Sequence, residues 1–285
     1  QKTGVYYRNK DESILLQCLN GEYRFCYEQT DCISNFYDED YDDTAWDTLA
    51  VPSMWQYHGY GNVKYTNIDY PFPFNPPHVG NENPVGYYRR TFTLQKRTAR
   101  TILYFGGVNS AFCVYCNGTF IGFSKGSRLP AEFDVTSVVR EGNNTLAIKV
   151  FTYCDGSYLE NQDMLLASGI FRDVTLHHVN DVSVWDYELA SDLAAIYVDL
   201  ALTYHGERGY RVAITVDGEK RILDASEELS CIFKINDPTL WNAEIPHLYD
   251  VTVELQKDGM TVETHSKRVG LTTSGVRGNH VLVNE

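Results

Sequence analysis

The chain has 285 residues, 24 of them Lys or Arg against 38 Asp or Glu, and its formal net charge of −14 with no basic run excludes nucleic acid and an anionic membrane surface as partners. With 43% hydrophobic residues, 21 Tyr and 13 Phe, it is a globular protein long enough for one large or two ordinary domains. A run of about 18 apolar residues, which a membrane-spanning helix needs, does not occur.

Gln1–Lys10 lacks the apolar core of a secretory signal, so the expected location is the cytoplasm. The seven cysteines (18, 26, 32, 113, 116, 154 and 231) fit that reading as reduced, mostly buried side chains. Cys113 and Cys116 have a CxxC spacing, but three positions apart on a strand they point to opposite faces. They read as a plain strand pair rather than a metal or redox site.

From Gln1 to Asp47 the pattern is irregular, and Asp38, Glu39, Asp40, Asp42 and Asp43 read as a solvated acidic loop. Between Val51 and Gly86 the five prolines 71, 73, 76, 77 and 84 exclude a helix or a central strand over most of the segment. A loop of that length inside a compact domain is most often functional. Trp55, Tyr57, His58 and Tyr60 within it suit either a stacking platform for a sugar or a core cluster.

Strands are predicted over Tyr87–Leu94, Arg100–Phe105, Phe112–Cys116 and Phe120–Phe123, with Asn117-Gly118 as a type I′ hairpin turn, and over Thr145–Thr152. The stretch Asp155–Val174 then packs Asp155, Glu160, Asn161 and Asp163 between apolar runs. Such groups are costly to bury unless donors, a metal or ligand hydroxyls answer them. Beyond Asn180-Asp181 comes a second set of strands: Val182–Leu189, Ala194–Tyr204, Tyr210–Val216, Leu229–Ile235, Leu248–Leu255 and Met260–Val269. Asp217-Gly218 and Asp258-Gly259 serve as turns among them. With no helical period of any length, the fold class is all-β: one sandwich, then a second of immunoglobulin size.

Several stretches carry a resemblance. DGSYLENQDM (Asp155–Met164) followed by SGIFRDV (Ser168–Val174) resembles the signature of the N-terminal sugar-binding domain of glycoside hydrolase family 2 β-galactosidases. LNGEYRF at Leu19, VPSMWQYHGYG at Val51, the run from Tyr65 to Phe92 that begins YTNIDYPF, and the run Gly107–Val150 stand in the family's order. Asp237–Tyr249 resembles the hallmark of the family's second domain, in which Trp241 and Tyr249 read as core and corner aromatics.

This resemblance implies a jelly-roll β-sandwich over residues 1–180 and an immunoglobulin-like sandwich over 181–272. Residues 273–285 would be the start of the linker into a catalytic (β/α)8 barrel, although Gly270-Leu271-Thr272 departs from the family's Gly-Phe-Arg. A barrel needs about 250 residues. It is therefore expected to lie outside this chain, together with both catalytic Glu residues and the retaining chemistry on terminal β-D-galactosides such as lactose. The chain alone should be inactive.

By position, the resemblance assigns Asn67 and Asp163 to contacts with the galactosyl group, and Asp163 also to a sodium ion in the intact enzyme. An amide that both donates and accepts, and a carboxylate that accepts from two hydroxyls, suit those tasks. Turn capping by Asn67 and satisfaction of backbone amides by Asp163 are the plainer alternatives. Sodium and magnesium are expected for the intact enzyme and none for the fragment. At Asp155, the position that binds magnesium in some members, Lys125 stands where a Gln is expected. Arg128 and Arg172 are expected to be ion-paired within the fold. The partners implied are the β-galactoside and the chain's own barrel, with homo-oligomerisation of the intact enzyme left open. Two other readings are a free-standing carbohydrate-binding module and a fragment of a related β-glucuronidase or β-mannosidase.

Overall fold

The computed structural model describes residues 16–66 and 68–284. The chain folds as two compact units, one ending at Val179 and one beginning at Asn180. Among the described residues no helix is long and apolar enough to cross a membrane.

The first unit is a sandwich of two antiparallel sheets. One has six strands in the order Asp47–Val51, Gly21–Glu28, Val85–Leu94, Gly142–Phe151, Ala111–Cys116, Thr119–Ser124. The other has four, in the order Leu16–Cys18, Val174–Val179, Arg100–Phe105, Ala131–Asp134. Tyr23, Phe25, Tyr88, Phe92, Val114 and Ile148 from the larger sheet meet Leu103, Phe105, Phe133 and Leu176 from the smaller one in a single core. Each such side chain, fully buried, contributes about 1.5–3 kcal/mol. Gly86 is required in this core, because a Cβ there would sit 2.8 Å from the ring of Trp55 and 2.9 Å from that of Phe25.

Two sequence readings change here. Gly21–Glu28 is a strand inside the six-stranded sheet, not irregular chain: Tyr23 and Phe25 face the core while Glu22 and Arg24 face out. The acidic loop does more than meet solvent. Phe36 packs with Val85, Tyr87 and Ala147 over the outer face of the sheet. Arg89, 4% exposed, donates to Asp43 Oδ2 at 2.8 Å and to the carbonyls of Phe36 and Asp38. Glu39 pairs with Arg140, and Asp31 lies 2.7 Å from Lys149 Nζ. A buried guanidinium needs such acceptors, and this segment supplies them.

The second unit pairs a three-stranded sheet, Ser183–Ser191, Ala195–Thr203, Glu228–Lys234, with a four-stranded one, Glu219–Asp224, Tyr210–Val216, Tyr249–Lys257, Met260–Val269. Seven strands in two sheets is the immunoglobulin-like arrangement. Its core is aliphatic, built on Ile196, Val198, Val212, Ile214, Val253 and Leu255 around Phe233. Tyr249 is buried, and its hydroxyl accepts the Thr239 N–H at 2.8 Å. An exposed hairpin, Ser274–Arg277 with His280–Val283, follows.

Candidate functional site

Two segments far apart in sequence make the site. The short strand Lys64–Tyr65 from the proline-rich loop pairs antiparallel with Leu165–Leu166, Tyr65 opposite Leu165. Prolines keep most of the rest of the loop out of regular strands, and side chains join a few backbone bonds, such as the Asn75–His78 bridge, in holding it. The Tyr158 hydroxyl accepts the Asn75 N–H at 3.0 Å and donates to the His78 carbonyl at 2.7 Å, while the Tyr70 hydroxyl donates to the Tyr158 carbonyl. Tyr70, Phe72 and Phe74 pack on Tyr158 with ring centroids 4.9, 5.0 and 5.8 Å away. Asn83 closes the loop through paired bonds of 2.9 Å to the backbone of Tyr153.

The strand pairing brings Asp163, an exposed carboxylate, to Tyr65, whose hydroxyl donates to Asp163 Oδ1. That bond raises the Tyr65 phenol above its ordinary pKa, since the proton is held by an anion. One register step away, Thr66 Oγ1 donates to Asn161 Oδ1 at 3.3 Å, and Asn161 Nδ2 donates to the Asp69 carbonyl at 3.2 Å. Asn161 therefore grips the loop at 66 and at 69. Asn67 lies outside the described residues.

Beside this corner, a cleft lined by Gln56, Phe72, Asn109, Arg128, Glu160 and Asn161 has room for about 30 Å³, one or two water molecules. A small-molecule pocket is roughly 300 Å³ or more. The aromatic cluster at 55–60 divides between core and surface: Trp55 is fully buried, Tyr60 donates to Asp47 Oδ2 at 2.7 Å, and Tyr57 is exposed. Burial and the Asp47 carboxylate push the Tyr60 phenol up to about 12. Arg128 pairs with Glu160 at 3.6 Å, whereas Arg172 donates to the carbonyls of Gly106 and Arg128.

At Asp155 the Lys125 ammonium lies 2.5 Å from Oδ2 and holds the carboxyl below its usual range. A cation already fills the place a divalent ion would take, so the residues present do not fit magnesium there. Among the described residues no three His, Cys, Asp or Glu side chains converge as a metal set. Asp163 has one oxygen engaged by Tyr65, and no second carboxylate, His or Cys among the described residues joins it as part of a metal set. Sequence reasoning singled out Asn161 among the polar groups of this stretch but missed Tyr65 and Tyr158, which assemble the corner with it. Tyr65 stands two residues before Asn67 in one motif, but nothing local names its partner 98 positions away.

The described residues form a ten-stranded sandwich with a polar corner built on loops, followed by a seven-stranded one, and the comparisons place this arrangement in a family. The profile described as "Glycosyl hydrolases family 2, sugar binding domain" matches residues 16–180, and "Glycosyl hydrolases family 2" matches 177–271. The chain belongs to glycosyl hydrolases family 2. It is similar to the β-galactosidase of Vibrio vulnificus, 41% identical over 284 residues, and to that of Enterobacter cloacae, 40% identical over 293. These matches cover 89% and 92% of this chain but only 27% and 28% of the relatives' own length. Among solved structures, the β-glucuronidase of Bifidobacterium dentium shares the fold with a TM-score of 0.72 at 19% identity, over 99% of this chain and 52% of that one. A β-glycosidase from Bacteroides vulgatus does so at 0.70 and 19%, over 94% and 35%.

Proposed function

We propose that this chain is the N-terminal, non-catalytic part of a β-galactosidase that hydrolyses terminal non-reducing β-D-galactosides with retention. The observation that carries the reading is the match of about nine-tenths of the chain to curated β-galactosidases at 40 and 41% identity. Likeness to β-glucuronidases is at the level of fold alone.

In this reading residues 1–180 form the sugar-binding jelly roll, 181–272 the immunoglobulin-like spacer, and 273–285 the entry to the catalytic barrel. The barrel supplies a pair of Glu residues, which in retaining enzymes stand about 5–5.5 Å apart. Asn67 and Asp163 reach the galactosyl group from the first unit. Support comes from the exposed carboxylate of Asp163 on a braced corner, and from a neighbouring cleft too small to enclose a sugar unaided. In the intact enzyme Asp163 would also be one ligand of a sodium ion, the other ligands coming from the barrel. Magnesium, if the enzyme uses it, binds away from Asp155. The seven unpaired cysteines favour a reducing compartment, the cytoplasm, and a role in carbohydrate metabolism.

The test is hydrolysis of nitrophenyl β-galactoside and nitrophenyl β-glucuronide by the full-length protein and by the 285-residue chain. We expect the full-length protein to prefer the galactoside and the chain alone to be inert. A preference for the glucuronide moves the assignment to that branch, and turnover by the chain alone contradicts it.

A further inference from the structure

We propose that Tyr65 is a positioning residue for Asp163: its phenol holds one carboxylate oxygen so that the other is presented to the galactosyl hydroxyls. The inference rests on the reading of Asp163 as a substrate contact.

Geometry carries it. The Tyr65 hydroxyl donates to Asp163 Oδ1, and the backbones of the two segments are tied at Tyr65–Leu165 and Lys64–Leu166. A ladder two residues from the carboxylate limits where the phenol can swing, so the bond joins two fixed points rather than two loose side chains. Asn161, two residues before Asp163, fastens the loop again at Thr66 and Asp69, and Tyr158 fastens it further out. The carboxylate and its partner thus share one rigid corner.

Stability does not explain the contact. Tyr65 is 56% exposed, its ring lies outside the buried core, and Asp163 is exposed as well. A hydrogen bond between groups that water would otherwise solvate adds little to folding. Orientation is what it adds. A lone carboxylate rotates about χ2 and spreads its lone pairs over a broad range, whereas one held at Oδ1 offers a defined second oxygen. Tyrosine suits the task because it donates without carrying charge. A lysine in its place would neutralise the carboxylate and compete with a cation or a sugar hydroxyl, as Lys125 does at Asp155.

The experiment compares Tyr65→Phe and Asp163→Asn in the full-length protein, following KM and kcat for nitrophenyl β-galactoside and the thermal midpoint. Tyr65→Phe should raise KM about two- to tenfold, the effect of one hydrogen bond, with kcat little changed and the midpoint unmoved. Asp163→Asn should lose more than Tyr65→Phe. A damaging Asp163→Asn beside a Tyr65→Phe with ordinary KM overturns this inference alone. An Asp163→Asn indistinguishable from the parent overturns the substrate-contact reading and the inference with it. A Tyr65→Phe protein that loses thermal stability at unchanged KM also overturns it, since the tyrosine is then structural.

Discussion

The proline-rich loop of the first unit and the hairpins of the second both have to satisfy backbone outside a sheet, and they do it in opposite ways. At Asp217-Gly218 and Asp258-Gly259 the second unit uses two-residue turns with φ of 47° and 84°, and 49° and 82°. These turns return the chain at once to its ladder. The loop around Lys64–Tyr65 leaves the ladder for a long stretch and is held by phenols and amides instead: Tyr158, Tyr70, Asn83 and Asn161. Side-chain clamps are individually weak, yet they can hold an exposed carboxylate at a chosen point. The difference teaches where function can be built: on irregular chain braced by a rigid sandwich.

The largest effects should come from the cores beneath the two regions. Trp55→Ala and Phe233→Ala should each cost about 3–5 kcal/mol in urea unfolding followed by hydrogen exchange. Only the first should speed exchange in the proline-rich loop, because Trp55 lies in the core of the unit that carries it and Phe233 in that of the other. Equal loosening of the loop by both would break the comparison.

A smaller loss is expected from Glu263→Ala in the second unit. Glu263 is 5% exposed, its Oε1 lies 2.5 Å from His265 Nε2, and its Oε2 accepts the Val184 N–H at 3.2 Å. Removing a buried acceptor of that kind costs about 1–3 kcal/mol, readable as a lower urea midpoint at unchanged slope. Below it comes Tyr158→Phe, which removes the hydroxyl bonds to Asn75 and His78. The expected cost is about 1 kcal/mol and local: faster exchange of the Asn75 amide, with the global midpoint nearly unchanged.

The smallest effect at neutral pH belongs to Tyr187→Phe, whose buried hydroxyl has no hydrogen-bond partner among the described residues. Its signature is alkaline. Burial pushes the phenol from 10.0 up to about 12. The unfolded chain therefore releases this proton first, and the stabilisation present below the unfolded value is lost as pH rises toward the folded one. The variant should flatten that part of the loss of stability above pH 10, measured by urea midpoints across the alkaline range. A slope identical to the parent's would refute the assignment.

Much of the fold was legible. Asn117-Gly118 turns as expected, with φ of 48° and 76°, and Arg100–Phe105 is a strand over the expected residues. The strand Gly21–Glu28 was legible too, in the alternation of Tyr23 and Phe25 with Glu22 and Arg24, but the acidic stretch after it obscured the signal. Asp163 stood out as one of several polar groups crowded between apolar runs. What singles it out in the structure is a tyrosine that reaches it from another loop.

Alternation, turn residues and composition determined by themselves that this protein is two β-sandwiches in series, because strand faces and hairpin turns are local consequences of a two-residue period and of φ. Tertiary structure alone decided that Asp43 answers a buried arginine and that Tyr65 holds Asp163. Those partners lie 46 and 98 positions apart. Which polar groups meet across such distances follows from sheet order and loop path, and no local pattern encodes either.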